Sequence, residues 1–136
     1  MRLECEVLGQ SIRAEALRLD EGWDVCVFGG SRSHVGAVTL AEADGSVQTL
    51  LRRDHRDDAV SVRWAKTLSQ RWNAPVCVRA GIHYDKIGRA EIDRILEACE
   101  ALLQSMMERK EAHDFDGYAG GQPDGGACGL PGQVDV

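Results

Sequence analysis

A surplus of positive charge is what this chain most clearly lacks. Its formal net charge is -6, which argues against nonspecific affinity for nucleic acid or for an anionic membrane, since both need a basic surface. Lysine is scarce, at three residues against thirteen arginines, so local positive charge falls to guanidiniums. The five cysteines include no CxxC pair. Cys26 and Cys77 sit in apolar strand-like runs and Cys99 on an apolar helical stripe, so these read as buried, reduced thiols acting as small hydrophobes. No charged segment precedes an apolar one near the start, and no run approaches about 18 apolar residues, which predicts a cytoplasmic protein without a membrane span. HxH, HExxH and GxSxG spacings are missing, as are paired carboxylates with divided acid and base roles. These absences point away from catalysis.

What remains is an ordinary globular composition: 136 residues, 43% hydrophobic and 28% charged, enough chain for one core. Leu3 to Leu8 and Ile12 to Leu19 alternate around Gly9 as a β-hairpin does. Trp23 to Phe28 is nearly continuous in apolar residues and reads as a strand covered on both faces. Val35 to Ala43, Val47 to Leu51 and Val76 to Ile82 complete about six strands. Val60, Trp64, Leu68 and Trp72 recur every four residues and mark a helix, with Asp57 or Asp58 as its N-cap and Asn73-Ala-Pro75 as its stop. Ile92, Ile95, Leu96, Cys99, Leu103 and Met106 mark a second helix ending in the charged Glu108 to Glu111. Clustered strands ahead of the helices predict an α+β fold with a mainly antiparallel sheet and both helices on one face. The free sheet face then needs a cover, and a second copy of the chain would make a homodimer. Residues 1–113 are expected to form this single domain. The Gly-rich stretch 114–136 offers little to bury and is expected to be a disordered tail.

Three of the four histidines stand where an apolar run meets glycine or charge. In Gly29-Gly30-Ser31-Arg32-Ser33-His34, glycines allow positive φ and free N–H groups, and the serines add hydroxyl donors, which suits a phosphate; the stretch equally reads as a plain glycine hairpin loop. Arg52 to Asp58 holds His55 and Arg56. It is either a solvated charge run or an anion-binding edge, for which arginine's planar fork suits phosphate. In Gly81-Ile-His83-Tyr84-Asp85, the glycine allows close approach of a ligand or another backbone. His83 suits a phosphate or a metal, Tyr84 an aromatic ring, and Asp85 a turn. A zinc site built on three histidines ranks below anion binding, because no metal-ligand spacing supports it.

Taken in order, Gly29-Gly30, His34-Val-Gly-Ala-Val38, His55-Arg-Asp-Asp58 and Ala80-Gly-Ile-His83 with Asp85 and Ile87 resemble the prenylated-flavin chaperones encoded with UbiD-type decarboxylases such as gallate decarboxylase. The resemblance covers roughly residues 1 to 107. It implies a fold like that of the proteasome assembly chaperones and a non-enzymatic carrier of reduced prenylated FMN, with FMN as a possible surrogate ligand. Its implied partners are a UbiD-type decarboxylase and the flavin prenyltransferase. Gly29, Gly30, Ser31, Arg32, Ser33, His34, His55, Arg56, Gly81, His83, Tyr84 and Asp85 would then form the cofactor site. Arg32 and Ser33, and the positive charge of Arg52 to His55, depart from the family pattern. Two alternatives stay open: an assembly chaperone without a small ligand, and a small histidine-dependent metalloenzyme.

Overall fold

A computed structural model describes residues 1–116, with side chains placed through Arg109. Leu8 and Gly9 take φ of 54° and 74°, the paired positive values that a two-residue hairpin turn needs. They fold β1 (Arg2–Val7) back on β2 (Gln10–Arg18). β3 (Trp23–Gly30), β4 (Arg32–Ala41) and β5 (Val47–Leu51) follow, then α1 (Asp58–Trp72), β6 (Val76–His83) and α2 (Arg89–Asp116). The result is α+β, with one six-stranded sheet in the order β1-β2-β3-β6-β4-β5. Every pairing is antiparallel except β3 with β6. A parallel neighbour requires a crossover connection, and α1 provides it.

That order changes the meaning of the glycine-rich stretch. β3 and β4 are not a hairpin, because β6 lies between them, bonded to β3 on one side and to β4 on the other. The connection between them, Ser31, steps across the end of β6. Its N–H donates to the His83 carbonyl at 2.8 Å and its hydroxyl to the same oxygen at 3.1 Å.

Both helices lie on one sheet face, as the alternation along β6 makes plain. Val76, Val78 and Ala80 are buried among Trp64 and Leu68 of α1 and Leu103 and Met106 of α2. Cys77 is half-buried and Arg79 exposed. α1 is held by its stripe of Val60, Trp64, Leu68 and Trp72, all buried, and closes at Asn73 in the left-handed conformation, whose N–H bonds the Ser69 carbonyl. Asn tolerates that conformation better than most residues.

Three sequence expectations are corrected. β3 is covered on one face within this chain, because Cys26 and Phe28 alternate away from the helices and stay half-buried. Cys26 and Cys77 share that open face, and of the described cysteines only Cys99 is fully buried. α2 continues past Glu111 to Asp116; the rest of the expected tail, from residue 117, lies outside the described residues. No helix of the described residues is long and apolar enough to cross a membrane.

Trp64 is 1% exposed at the centre of the core. Its replacement by alanine is expected to cost about 3–5 kcal/mol, a large share of the roughly 5–15 kcal/mol of a domain this size. Urea unfolding followed by circular dichroism measures the loss.

Candidate functional site

The site forms where β4, β6 and the start of α1 meet, and one carboxylate organises it. Asp57 occupies the cap position of α1 but has helical φ and ψ and makes no side-chain cap bond. Its carboxylate turns to the sheet end instead: Oδ1 accepts the Ile82 backbone N–H at 3.0 Å, and Oδ2 lies 3.0 Å from His34 Nε2. The expected capping role for Asp57 is thereby replaced by a tertiary one. Stronger acceptance from a backbone amide and an imidazole outweighs a local bond that water can supply equally well at an exposed helix start.

Two glycines make room for this. A Cβ on Gly36 would stand 1.8 Å from Asp57 Oδ2, and one on Gly81 would stand 1.5 Å from the His34 carbonyl oxygen. The β4–β6 register breaks between Ser33 and Ala37, so His34 sits in a bulge, and bulges re-aim side chains at sheet ends. The close approach that Gly81 allows is therefore that of another backbone.

The bulge brings His34 against two further imidazoles. Its ring centroid lies 4.9 Å from that of His55 and 6.3 Å from that of His83. His55 Nδ1 lies 2.7 Å from the Arg53 carbonyl; a carbonyl only accepts, so Nδ1 carries the proton and Nε2 is left outward. His83 Nε2 pairs with Asp85 at 2.8 Å. Arg32 and Arg56 line the same hollow, of about 540 Å³, and neither side chain has a hydrogen-bonding or ionic partner among the described residues. The lining also includes the carboxylates of Asp54 and Asp57 and the aliphatic Ile82, Ile87, Ile95 and the exposed Ile92 and Leu96, at 40% and 41%. A lining that mixes charged, imidazole and aliphatic groups suits an amphiphilic ligand.

A family profile, the prenylated flavin chaperone LpdD-like domain, matches residues 6–111. The chain belongs to that family. Protein LpdD of Lactiplantibacillus plantarum (strain ATCC BAA-793 / NCIMB 8826 / WCFS1) is 32% identical over 100 residues, covering 68% of this chain and 73% of LpdD. A crystal structure of a chaperone complex for yeast 20S proteasome assembly aligns over 79% of this chain and 97% of its own, with a TM-score of 0.45 and 15% identity. As an LpdD-like protein the chain has a chaperone's role.

Against this LpdD-like fold, eleven of the twelve residues singled out in the sequence divide in two. Arg32, His34, His55, Arg56, His83 and Tyr84 line the imidazole hollow, with Asp85 at its edge as the partner of His83. Gly29, Gly30, Ser31 and Ser33 line a separate hollow of about 590 Å³ with Ser11, Arg13, Phe28 and Arg79. Arg13, Phe28 and Arg79 alternate with buried strand residues, which puts that second hollow on the sheet face away from the helices. Gly81 is buried between strands and lines neither. The Tyr84 hydroxyl donates to the Val7 carbonyl at 2.9 Å, and burial raises its pKa, so its ring is a wall and its proton is committed. Sequence reasoning missed Asp57 as a site residue, along with Ile92 and Leu96. The last two were legible as the flank of an α2 stripe wider than a core contact needs.

No described cysteine is poised as a nucleophile: burial pushes the Cys99 thiol up to about 12 and raises Cys5, Cys26 and Cys77 as well. Iodoacetamide at pH 8 should therefore modify native Cys99 far more slowly than the unfolded chain, as peptide mass mapping would record. Gly36→Ala should cost about 1–3 kcal/mol by overpacking. It should also release the Ile82 amide from Asp57, which amide hydrogen exchange reads directly.

Proposed function

We propose that this chaperone binds reduced prenylated FMN in the imidazole hollow and hands it to a UbiD-type decarboxylase, without performing chemistry itself. The observation that carries the reading is the polarity of the hollow. Three imidazoles and the guanidiniums of Arg32 and Arg56 line it together with the carboxylates of Asp54 and Asp57 and a set of aliphatic side chains. A flavin nucleotide likewise combines charged and apolar groups, a phosphate at one end and a fused ring system at the other. Arg32 and Arg56 would meet the phosphate through charge-assisted hydrogen bonds, with His55 and His83 beside it. Ile82, Ile87, Ile92, Leu96 and the Tyr84 ring would border the isoalloxazine. The family is named for a prenylated flavin, and the volume of about 540 Å³ lies within the usual range for such ligands.

A carrier needs affinity and release rather than transition-state stabilisation. The site fits that need: its tyrosine proton is committed, and its hollow is open to solvent along α2. Gly29, Gly30, Ser31 and Ser33 serve the reading by shaping the turn that presents Arg32 and His34.

The open sheet face is proposed as the contact between two copies in the cytoplasm. Leu17, Leu40 and Leu50 stand there 60%, 46% and 78% exposed, and exposed aliphatics on a sheet face favour burial. Leu50→Glu should convert a dimer to a monomer by light scattering; a wild-type protein already monomeric at high concentration overturns the dimer.

Co-expression with a flavin prenyltransferase and anaerobic purification tests the ligand. The expected result is a flavin absorption spectrum with a prenylated FMN mass released on denaturation. Arg56→Ala with His55→Gln should retain at most about a tenth of the flavin, the effect of losing two charge-assisted contacts. A colourless protein under these conditions overturns the carrier reading.

A further inference from the structure

We propose that His34, His55 and Asp57 bind one divalent transition-metal ion of the zinc class, with an open position facing the hollow. The proposal deepens the carrier reading by naming what holds the anionic end of the ligand. It rests on that reading only for what fills the open position.

The geometry is that of a site with its outer support already in place. One donor atom from each of the three residues lies within 4.8 Å of the other two. Zinc ligands sit about 2.0–2.2 Å from the ion, so His34 Nε2 and Asp57 Oδ2, 3.0 Å apart, are already spaced as two ligands of one ion. His55, on the loop before α1, closes the set by shifting toward them.

Ligating histidines characteristically donate their second ring N–H to a carbonyl or carboxylate, and ligating carboxylates are themselves hydrogen-bonded. His55 Nδ1–H donates to Arg53 O, which fixes its Nε2 as the lone-pair nitrogen. The second Asp57 oxygen is held by the Ile82 amide. The position between His34 Nε2 and Asp57 Oδ2 is where a proton now lies. An ion would take that place, leaving the neutral His34 ring protonated on Nδ1. Two imidazoles and one carboxylate suit zinc, cobalt or iron better than magnesium or calcium. Three protein ligands leave a position free, as in zinc sites that bind a further group. Side-chain exposures of 17% for His34 and 10% for Asp57 keep bulk water from competing, while Arg32 and Arg56 stand ready beside the open side for an anion.

A wholly structural reading of the cluster exists, in which the His34–Asp57 pair merely ties β4 to α1, and the experiment separates the two. The full chain, stripped with chelator and free of flavin, is dialysed against Zn²⁺ and, separately, Co²⁺. One ion per chain is expected, with visible d–d bands in the cobalt form and no intense thiolate-to-cobalt band. Inorganic phosphate should shift the d–d bands by entering the open position. His55→Gln should weaken binding at least as much as the loss of an outer-shell partner does, about 10–100-fold, with the circular dichroism unchanged; Asp57→Asn should do the same if it folds. Absence of binding, a thiolate band, or wild-type affinity in His55→Gln would each overturn the metal site. Unshifted bands would overturn its open position. Since no flavin is present, these results stand apart from the spectrum of the co-expressed protein, and either reading can fail without the other.

Discussion

The Asp57 carboxylate joins segments that are remote in the chain: one oxygen takes the Ile82 amide at the end of β6, the other the His34 ring from the β4 bulge, and the residue itself begins α1. A partly buried carboxylate is costly unless its lone pairs are filled, so this arrangement holds only while all three segments are in place. The glycines at 36 and 81 follow from it, one leaving space for the carboxylate and the other for the backbone that carries His34. His55 and His83 gather around the position that Asp57 sets for His34. Remove the carboxylate and the imidazoles have no common reason to converge.

Much of the fold was open to a periodicity argument because each element buries one regular stripe. Alternation marked β1 and β2, the four-residue recurrence from Val60 to Trp72 marked α1, and Asn73-Ala-Pro75 marked its end. Strand order was a different matter. Nothing local to Val76–His83 says that it enters between β3 and β4, because insertion is decided by the length and packing of the α1 crossover. For the same reason the glycine stretch at 29–33 looked like a hairpin. The candidate site was half visible: glycine and charge beside each histidine were readable, whereas their convergence depends on a register break in β4 that leaves no mark on composition. Asp57 stayed hidden because an aspartate ahead of a helix has an ordinary local explanation.

The hollow combines charged, imidazole and aliphatic groups. Arginine and histidine side chains line it beside the carboxylates of Asp54 and Asp57, and burial raises the pKa of the Tyr84 hydroxyl. Ile92 and Leu96 on α2 remain exposed along that hollow, apolar surface left in water. Under the carrier role proposed above, the same exposure that admits a ligand would let a client withdraw it.

The short link at Ser31 has a kinetic consequence. β3 and β4 are made one after the other, yet neither can complete its ladder until β5 and α1 have been laid down and β6 has returned to the gap. Long-range pairing of this kind slows folding. For that interval the chain presents two facing rows of unpaired amides and carbonyls at the centre of its future sheet, the kind of edge that recruits strands from neighbouring molecules. A chaperone of the LpdD-like family thus passes through a stage in which its own middle is unguarded.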